Sequence, residues 1–79
     1  MGQIRDKILL QKIARRVKAI RENQRVTQEV FYFDTNIHIG RIETAQINVT
    51  ISTLDAICKY FNITLEVFFQ GFDSEILED

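Results

Sequence analysis

The stretch FYFDTNIHIGRIETAQ, residues 31–46, places polar side chains among helix-spaced apolar ones and contains the single histidine, His38. It has no glycine-rich phosphate loop, no paired cysteines and no serine beside a histidine. His38 has no second metal ligand nearby, and no nucleophile is paired with a base anywhere in the chain. We therefore expect no metal, no cofactor, no small-molecule substrate and no enzymatic activity.

Length and composition indicate one small domain. With 79 residues the chain is near the lower limit for a single hydrophobic core, and we assign residues 1–79 to one domain with a core of about 6–70 and an acidic tail at 71–79. Cys58, the single cysteine, cannot form an internal disulfide, which favours a small core residue and a reducing, cytoplasmic location. No apolar run is long enough to span a membrane.

Charge is distributed unevenly along the chain. The net charge is −1, but residues 1–25 hold eight of the ten basic residues and only two acids, whereas residues 26–79 hold nine acids and two bases. A basic end can face a polyanion. The alternative is a basic helix that is simply solvated.

The spacing of apolar residues predicts helices. They recur three or four positions apart from about Asp6 to Glu22, with basic residues in most gaps, which is typical of an amphipathic helix with a basic outer face. Thr27, followed by Gln28 and Glu29, is a suitable N-cap for a second, short helix.

Further caps divide the rest of the chain. The cap-prone run Asp34-Thr35-Asn36 predicts a third helix at about 35–44, Thr50 or Ser52 can cap a fourth, and Thr64 can cap a fifth. Two brief helices that meet at a tight turn suggest a helix-turn-helix. The chain is thus expected to be all-α, with five helices.

These residues resemble a known family. IARRVKAIRENQRVTQE, residues 13–29, is similar to the opening of phage-repressor-like (Cro/C1, or XRE) helix-turn-helix domains, and residues 37–69 are similar to their second half, including the IxxIE signature at Ile39, Ile42 and Glu43. The match covers roughly residues 10–70 and implies a compact, lambda-repressor-like fold.

The chain departs from the family pattern in three places. Between Thr27 and Thr35 it is about one helical turn shorter, so we expect a shortened second helix. Ala45 stands where the family usually has a helix-ending glycine, and Gln46 and Ile47 replace a basic pair.

The resemblance implies a DNA-reading element at 35–44, entering the major groove. Thr35 would cap it and contact a phosphate, whereas Asn36, Ile37 and His38 would face base edges. Ile37 could instead belong to the core, and His38 could be a solvent-exposed helix residue. Arg41 would reach guanine or a phosphate.

Other positions have implied supporting roles. Gln28 matches the family's phosphate-contacting glutamine, and Arg21 and Glu43 match a structural ion pair between the first and third helices. Arg16 and Arg25, together with Arg15 and Lys18, would supply general attraction to DNA.

The resemblance therefore implies a sequence-specific double-stranded DNA-binding transcriptional regulator, bacterial or from a mobile element. It would act as a homodimer through the apolar fifth helix and tail, at Phe68, Phe69 and Phe72. The alternative is a helix-turn-helix scaffold that binds protein, as an antitoxin-like or adaptor module without DNA binding.

Overall fold

The computed structural model describes residues 6–74, and within that range it contains five α-helices, a short 3-10 helix and no strand. The helices are α1 (Lys7–Asn23), α2 (Gln28–Thr35), α3 (Ile39–Glu43), α4 (Ile51–Tyr60), α5 (Leu65–Phe68) and the 3-10 helix Phe72–Ser74. The prediction of an all-α fold with five helices is confirmed. Residues 75–79 of the predicted acidic tail lie outside the described residues.

Side-chain caps start four of the α-helices. The side-chain oxygens of Asp6, Thr27, Thr50 and Thr64 each accept a hydrogen bond from the backbone amide three residues later. Each bond satisfies one amide that has no partner inside its helix. α3 differs because His38 occupies its N-cap position without a side-chain hydrogen bond.

Left-handed residues follow or end the helices. Arg25, Asn36, Ala45 and Asn62 all have φ near +60°. After α3, for example, the amide of Ala45 donates to the carbonyl of Ile42, and that of Gln46 donates to the carbonyl of Arg41. This is the Schellman pattern, which glycine usually closes without strain. Ala45 takes the position that glycine usually occupies, and its left-handed backbone conformation costs free energy because of its Cβ atom.

Aromatic rings form the centre of the core. Phe31 of α2 is fully buried and stacks on Phe61, with ring centroids 5.5 Å apart, and it meets Tyr60 edge-on at 4.7 Å. The Tyr60 hydroxyl donates to Asp34 Oδ2 at 2.6 Å, which raises the pKa of Tyr60. These contacts join the end of α2 to the end of α4.

Basic residues of α1 hold the C-terminal segment. Arg16 Nη1 donates to the carbonyls of Phe68 and Gln70, both at 2.7 Å, and its guanidinium lies 5.3 Å from the centre of the Phe72 ring. Lys12 Nζ lies 3.4 Å from the Phe72 carbonyl. Carbonyls near the end of α5 thus obtain charged donors.

The segment after Thr27 forms α2 with eight residues, and α3 is shorter still, with five. Thr35 does not cap α3 but is the last residue of α2, where its hydroxyl donates to the Phe31 carbonyl and accepts from the Ile37 amide. Asn36 then turns the chain through a left-handed conformation. The recognition helix expected at about 35–44 is thereby reduced to Ile39–Glu43.

Phe68 and Phe72, which the resemblance assigns to a dimer interface, lie inside the domain. They are only 1% and 7% exposed, and they pack in the core of the chain itself. Phe69 is half-buried and packs against the same core. The apolar side chain that α5 does expose is Val67.

The strained helix end gives a stability prediction. Ala45→Gly should raise the free energy of unfolding by about 1 kcal/mol, because relief of the left-handed penalty exceeds the extra backbone entropy that glycine gives the unfolded chain. Ala56→Gly, the same change inside α4, should lower it by about 1 kcal/mol. Urea unfolding checks both, and equal losses in the two variants would contradict the strain at Ala45.

Candidate nucleic-acid interface

α3 is positioned by a buried ion pair. Arg21 Nε donates to Glu43 Oε2 at 2.6 Å, and Arg21 Nη2 donates to Glu43 Oε1 at 2.9 Å, so the pair is bidentate. The two side chains are 9% and 3% exposed, and the hydrogen bond that Arg21 donates to Glu43 is the main reason that the pKa of Arg21 is raised. The Arg21–Glu43 contact implied by the resemblance is thus present.

The ion pair extends to two further elements. Arg21 Nη1 donates to the Val26 carbonyl at 2.8 Å, which fixes the α1–α2 connection. Gln28 Nε2 donates to Glu43 Oε1 at 3.0 Å, which links the start of α2 to the end of α3. One carboxylate therefore has partners from α1 and α2, and it sets the position of α3 relative to both.

Gly40 allows α2 and α3 to approach closely. A Cβ atom at this position would lie 3.1 Å from Gln28 Oε1, closer than an ordinary van der Waals contact. The absent side chain therefore makes room for the Gln28 amide beside Glu43. The close approach at Gly40 is thus one between two elements of the protein itself.

α3 presents a single exposed residue. Ile39 and Ile42 are buried in the core, Glu43 is occupied by the ion pair, and Gly40 has no side chain. Within Ile39–Glu43, only Arg41 is exposed. The helix that the sequence suggested as a reading element can thus offer one long, cationic hydrogen-bond donor.

The segment before α3 offers further polar groups. Asn36 is exposed, Ile37 is half-buried against the core, and His38 is exposed with its imidazole stacked on the Tyr32 ring. The two ring centroids are 4.5 Å apart and the planes are inclined by 30°. Of the two interpretations of Ile37, packing on the core is the one the structure supports.

A shallow hollow brings several of the predicted residues together. Gln28, His38 and Arg41 line it, together with Thr27, Glu29 and Tyr32. Asn36 lies instead beside Val30 and Phe33 on the outer side of α2. Gln28 and Arg41 can donate hydrogen bonds, and His38 can donate or accept. This surface can therefore bind a hydrogen-bond acceptor such as a phosphate or a base edge.

The remaining predicted residues lie elsewhere. Thr35 is occupied with backbone groups of α2 and Ile37. Arg16 is engaged with the C-terminal segment, so its guanidinium already has a structural function. Arg25 is exposed at the left-handed turn after α1. The DNA-contact roles assigned to Arg16 and Arg25 stay predictions.

The sequence analysis did not predict the role of Tyr32 or the contacts that Lys12 and Arg16 make with the C-terminal segment. Tyr32 and His38 are six residues apart on either side of a turn whose geometry depends on the left-handed Asn36, so no spacing rule pairs them. The partners of Arg16 lie more than fifty residues away in the chain.

Residues 6–74 contain neither a candidate metal centre nor a candidate membrane span. Among residues 6–74, no three histidine, cysteine or acidic side chains are grouped closely enough to hold a metal ion. In the same range, no helix combines the length and the apolar character that crossing a bilayer requires. The pKa of Cys58 is raised, mainly by burial, which favours the unreactive thiol.

The arrangement of α2, the turn and α3 defines a helix-turn-helix domain. No protein-family model matches the sequence, and no curated protein matches it. Crystal structures of the restriction-modification controller protein C.Esp1396I do match. Its tetramer in complex with its natural 35-base-pair operator superposes with a TM-score of 0.78 and 33% identity, over 92% of this chain and 100% of that chain.

Two further structures of the same protein agree. The wild-type controller protein gives a TM-score of 0.78 and 32% identity over 94% of this chain and 99% of that one. A point mutant gives 0.77 and 34% over 90% and 99%. The chain belongs to the same helix-turn-helix family as C.Esp1396I.

The buried ion pair gives the second prediction. Glu43→Ala should lower the free energy of unfolding by about 3 kcal/mol, because the Arg21 charge would remain buried without its partner. Replacing both residues, as Arg21→Met with Glu43→Leu, should cost less than the single change. Thermal and urea unfolding measure both.

Asp55→Ala provides the matched control. Asp55 pairs with Lys59 at 2.9 Å on the surface of α4, where the lysine side chain is 76% exposed. Removing an acid from such a pair should cost about 0.5 kcal/mol or less. Similar losses for Glu43→Ala and Asp55→Ala would contradict the structural role of the Arg21–Glu43 pair.

Proposed function

We propose that this protein is a sequence-specific double-stranded DNA-binding transcriptional regulator of the phage-repressor-like (Cro/C1, XRE) family. It is a non-enzymatic, single-domain protein of the bacterial cytoplasm and acts as a homodimer. The observation that carries the proposal is the similarity over the whole length of C.Esp1396I, a controller protein whose structure includes its operator DNA. The grouping of Gln28, His38 and Arg41 supports it.

The exposed side chains suit two different kinds of DNA contact. Gln28 lies at the start of α2, where an amide side chain and the helix N-terminus can both donate to a phosphate. Arg41 can make a bidentate contact with guanine, which carries sequence information. Asn36 and His38 are the other exposed groups near the turn. Phosphate contacts would orient the domain, and Arg41 would supply specificity.

A protein-binding module is the second candidate, because Phe33 on α2 is 87% exposed and Val30 beside it is 50% exposed. Exposed aromatic side chains are enriched at protein–protein interfaces. The short α3, with Arg41 as its one exposed side chain, also limits the number of base contacts.

DNA binding is tested by fluorescence anisotropy with a randomised duplex pool across a salt series. Wild type should bind with a steep salt dependence. Arg41→Ala should weaken binding to the selected sequence by about 1–3 kcal/mol and relax one position of the site, whereas Gln28→Ala should weaken binding to all sequences.

Lys59→Ala is the control, since it removes one exposed positive charge from α4. It should leave the selected sequence unchanged. If wild type fails to bind at low salt, the DNA-binding proposal is wrong and the protein-binding module becomes the better explanation. If Lys59→Ala weakens binding as much as Arg41→Ala does and leaves the same selected sequence, Arg41 contributes only its positive charge.

The dimer is tested with two valines of equal exposure. Val67 on α5 is 51% exposed and Val30 on α2 is 50% exposed. We expect Val67→Glu to shift the protein to monomers in sedimentation velocity, because a buried unpaired carboxylate would oppose association through α5. Val30→Glu should leave the dimer intact. A wild-type monomer at all concentrations, or dissociation by Val30→Glu alone, would contradict dimerisation through α5.

A further inference from the structure

The recognition helix is too short to read DNA by itself. Arg41 is the only exposed residue of Ile39–Glu43, so a second base contact has to come from outside this helix, and the turn at 36–38 leads directly into it. Ile37 is half-buried in that turn, which leaves Asn36 and His38. Of these two, His38 lines the same hollow as Arg41, whereas Asn36 lies toward Phe33.

The backbone of the turn is held at several points. The Asn36 amide donates to the Tyr32 carbonyl at 2.7 Å, and the Ile37 amide donates to Thr35 Oγ1 at 3.1 Å. The Ile39 amide donates to the Ile37 carbonyl at 2.9 Å. These bonds fix the path of the chain around His38, but they do not fix the direction of its side chain.

The Tyr32 ring supplies that constraint. It lies 4.5 Å from the imidazole of His38 with an inclination of 30°, in the range of offset stacking. Tyr32 itself is 41% exposed, so it contributes less to the core than Phe31 beside it, which is fully buried. Its ring is thus available mainly for contact with His38 at the edge of the hollow.

We propose that Tyr32 is a positioning residue for DNA reading, which holds the His38 imidazole so that His38 and Arg41 together address adjacent bases. This proposal rests on the proposed DNA-binding function. The imidazole N–H donates to a purine acceptor in the major groove, and Arg41 contacts a neighbouring guanine. The stacked ring restricts the imidazole before binding, which lowers the entropy lost when the base contact forms.

The test begins with the position that His38 reads. Selection from a randomised duplex pool with wild type and His38→Ala identifies the base pair at which the preference is lost. Base preference is then the ratio of Kd values for the selected duplex and for a duplex changed at that pair. Tyr32→Leu should reduce this ratio roughly three- to tenfold, in line with the usual contribution of an aromatic stack.

Two variants separate positioning from other roles. Tyr32→Phe keeps the ring and should keep the wild-type preference, whereas a loss equal to that of Tyr32→Leu would mean that the hydroxyl contacts DNA directly and would overturn the proposal. Phe33→Leu is the matched control, because it removes a neighbouring exposed aromatic ring that does not stack on His38. It should leave the base preference unchanged.

A double variant tests whether Tyr32 acts through His38. Once His38→Ala is present, adding Tyr32→Leu should cause no further loss of base preference, because Tyr32 affects the preference only through the His38 imidazole. Additive losses would overturn the positioning role. Circular dichroism melting of each variant verifies that α2 remains folded.

Proton NMR of the free protein gives a readout that does not depend on DNA. The ring protons of His38 should be shifted upfield by the adjacent tyrosine ring in wild type and by the phenylalanine ring in Tyr32→Phe, and this shift should vanish in Tyr32→Leu. Its absence in wild type would overturn the stack. If the shift is present but wild type does not bind DNA, the proposed function fails while the stack stands, and Tyr32 has no role in reading.

Discussion

The bidentate contact between Arg21 and Glu43 is the constraint on which the DNA-facing surface depends. A five-residue helix is far below the length at which helices are stable alone, and α3 also lacks a side-chain N-cap. Its position is fixed by burial of Ile39 and Ile42 and by a carboxylate shared between Arg21 and Gln28. Removal of two charges from water is costly, so the geometry of the pair contributes specificity of placement more than net stability.

The short α3 changes how such a surface can work. With Arg41 as its one exposed residue, α3 cannot present a longer row of side chains, and the nearest exposed side chains before it are Asn36 and His38 in the turn. The basic face of α1 is also less available than composition suggests. Lys12 and Arg16 contact the C-terminal segment, and Arg21 contacts Glu43. Three of the eight basic residues in the range 1–25 therefore make contacts that hold the fold together.

Local signals in the sequence predicted most of the helices, but not the register of the turn. Thr27 and Thr64 act as the caps that their neighbours suggested, because each precedes a clear apolar repeat. Thr35 was ambiguous, since a threonine can cap the next helix or bond back to a carbonyl of the previous one. Its hydroxyl donates to the Phe31 carbonyl, so Thr35 ends α2 and α3 begins only at Ile39. The burial of Phe68 could not be predicted either, because it packs with core residues that are distant in the sequence, such as Val17 and Phe31.

A DNA-binding surface with few side chains depends on those side chains being rigid before binding. A side chain that is free to rotate lowers the affinity, because its rotamer must be fixed on binding. A surface with only two or three donors has few other contacts to offset this entropy loss. The structure limits such freedom in three ways: Gln28 is bonded to Glu43, Gly40 packs against the Gln28 amide, and His38 is stacked on Tyr32. The contact between Gln28 and Glu43 also has a consequence for phosphate binding. The Gln28 amide has two N–H groups, and one of them is occupied by Glu43, so the other is the donor left to meet a phosphate without disturbing the ion pair that places α3.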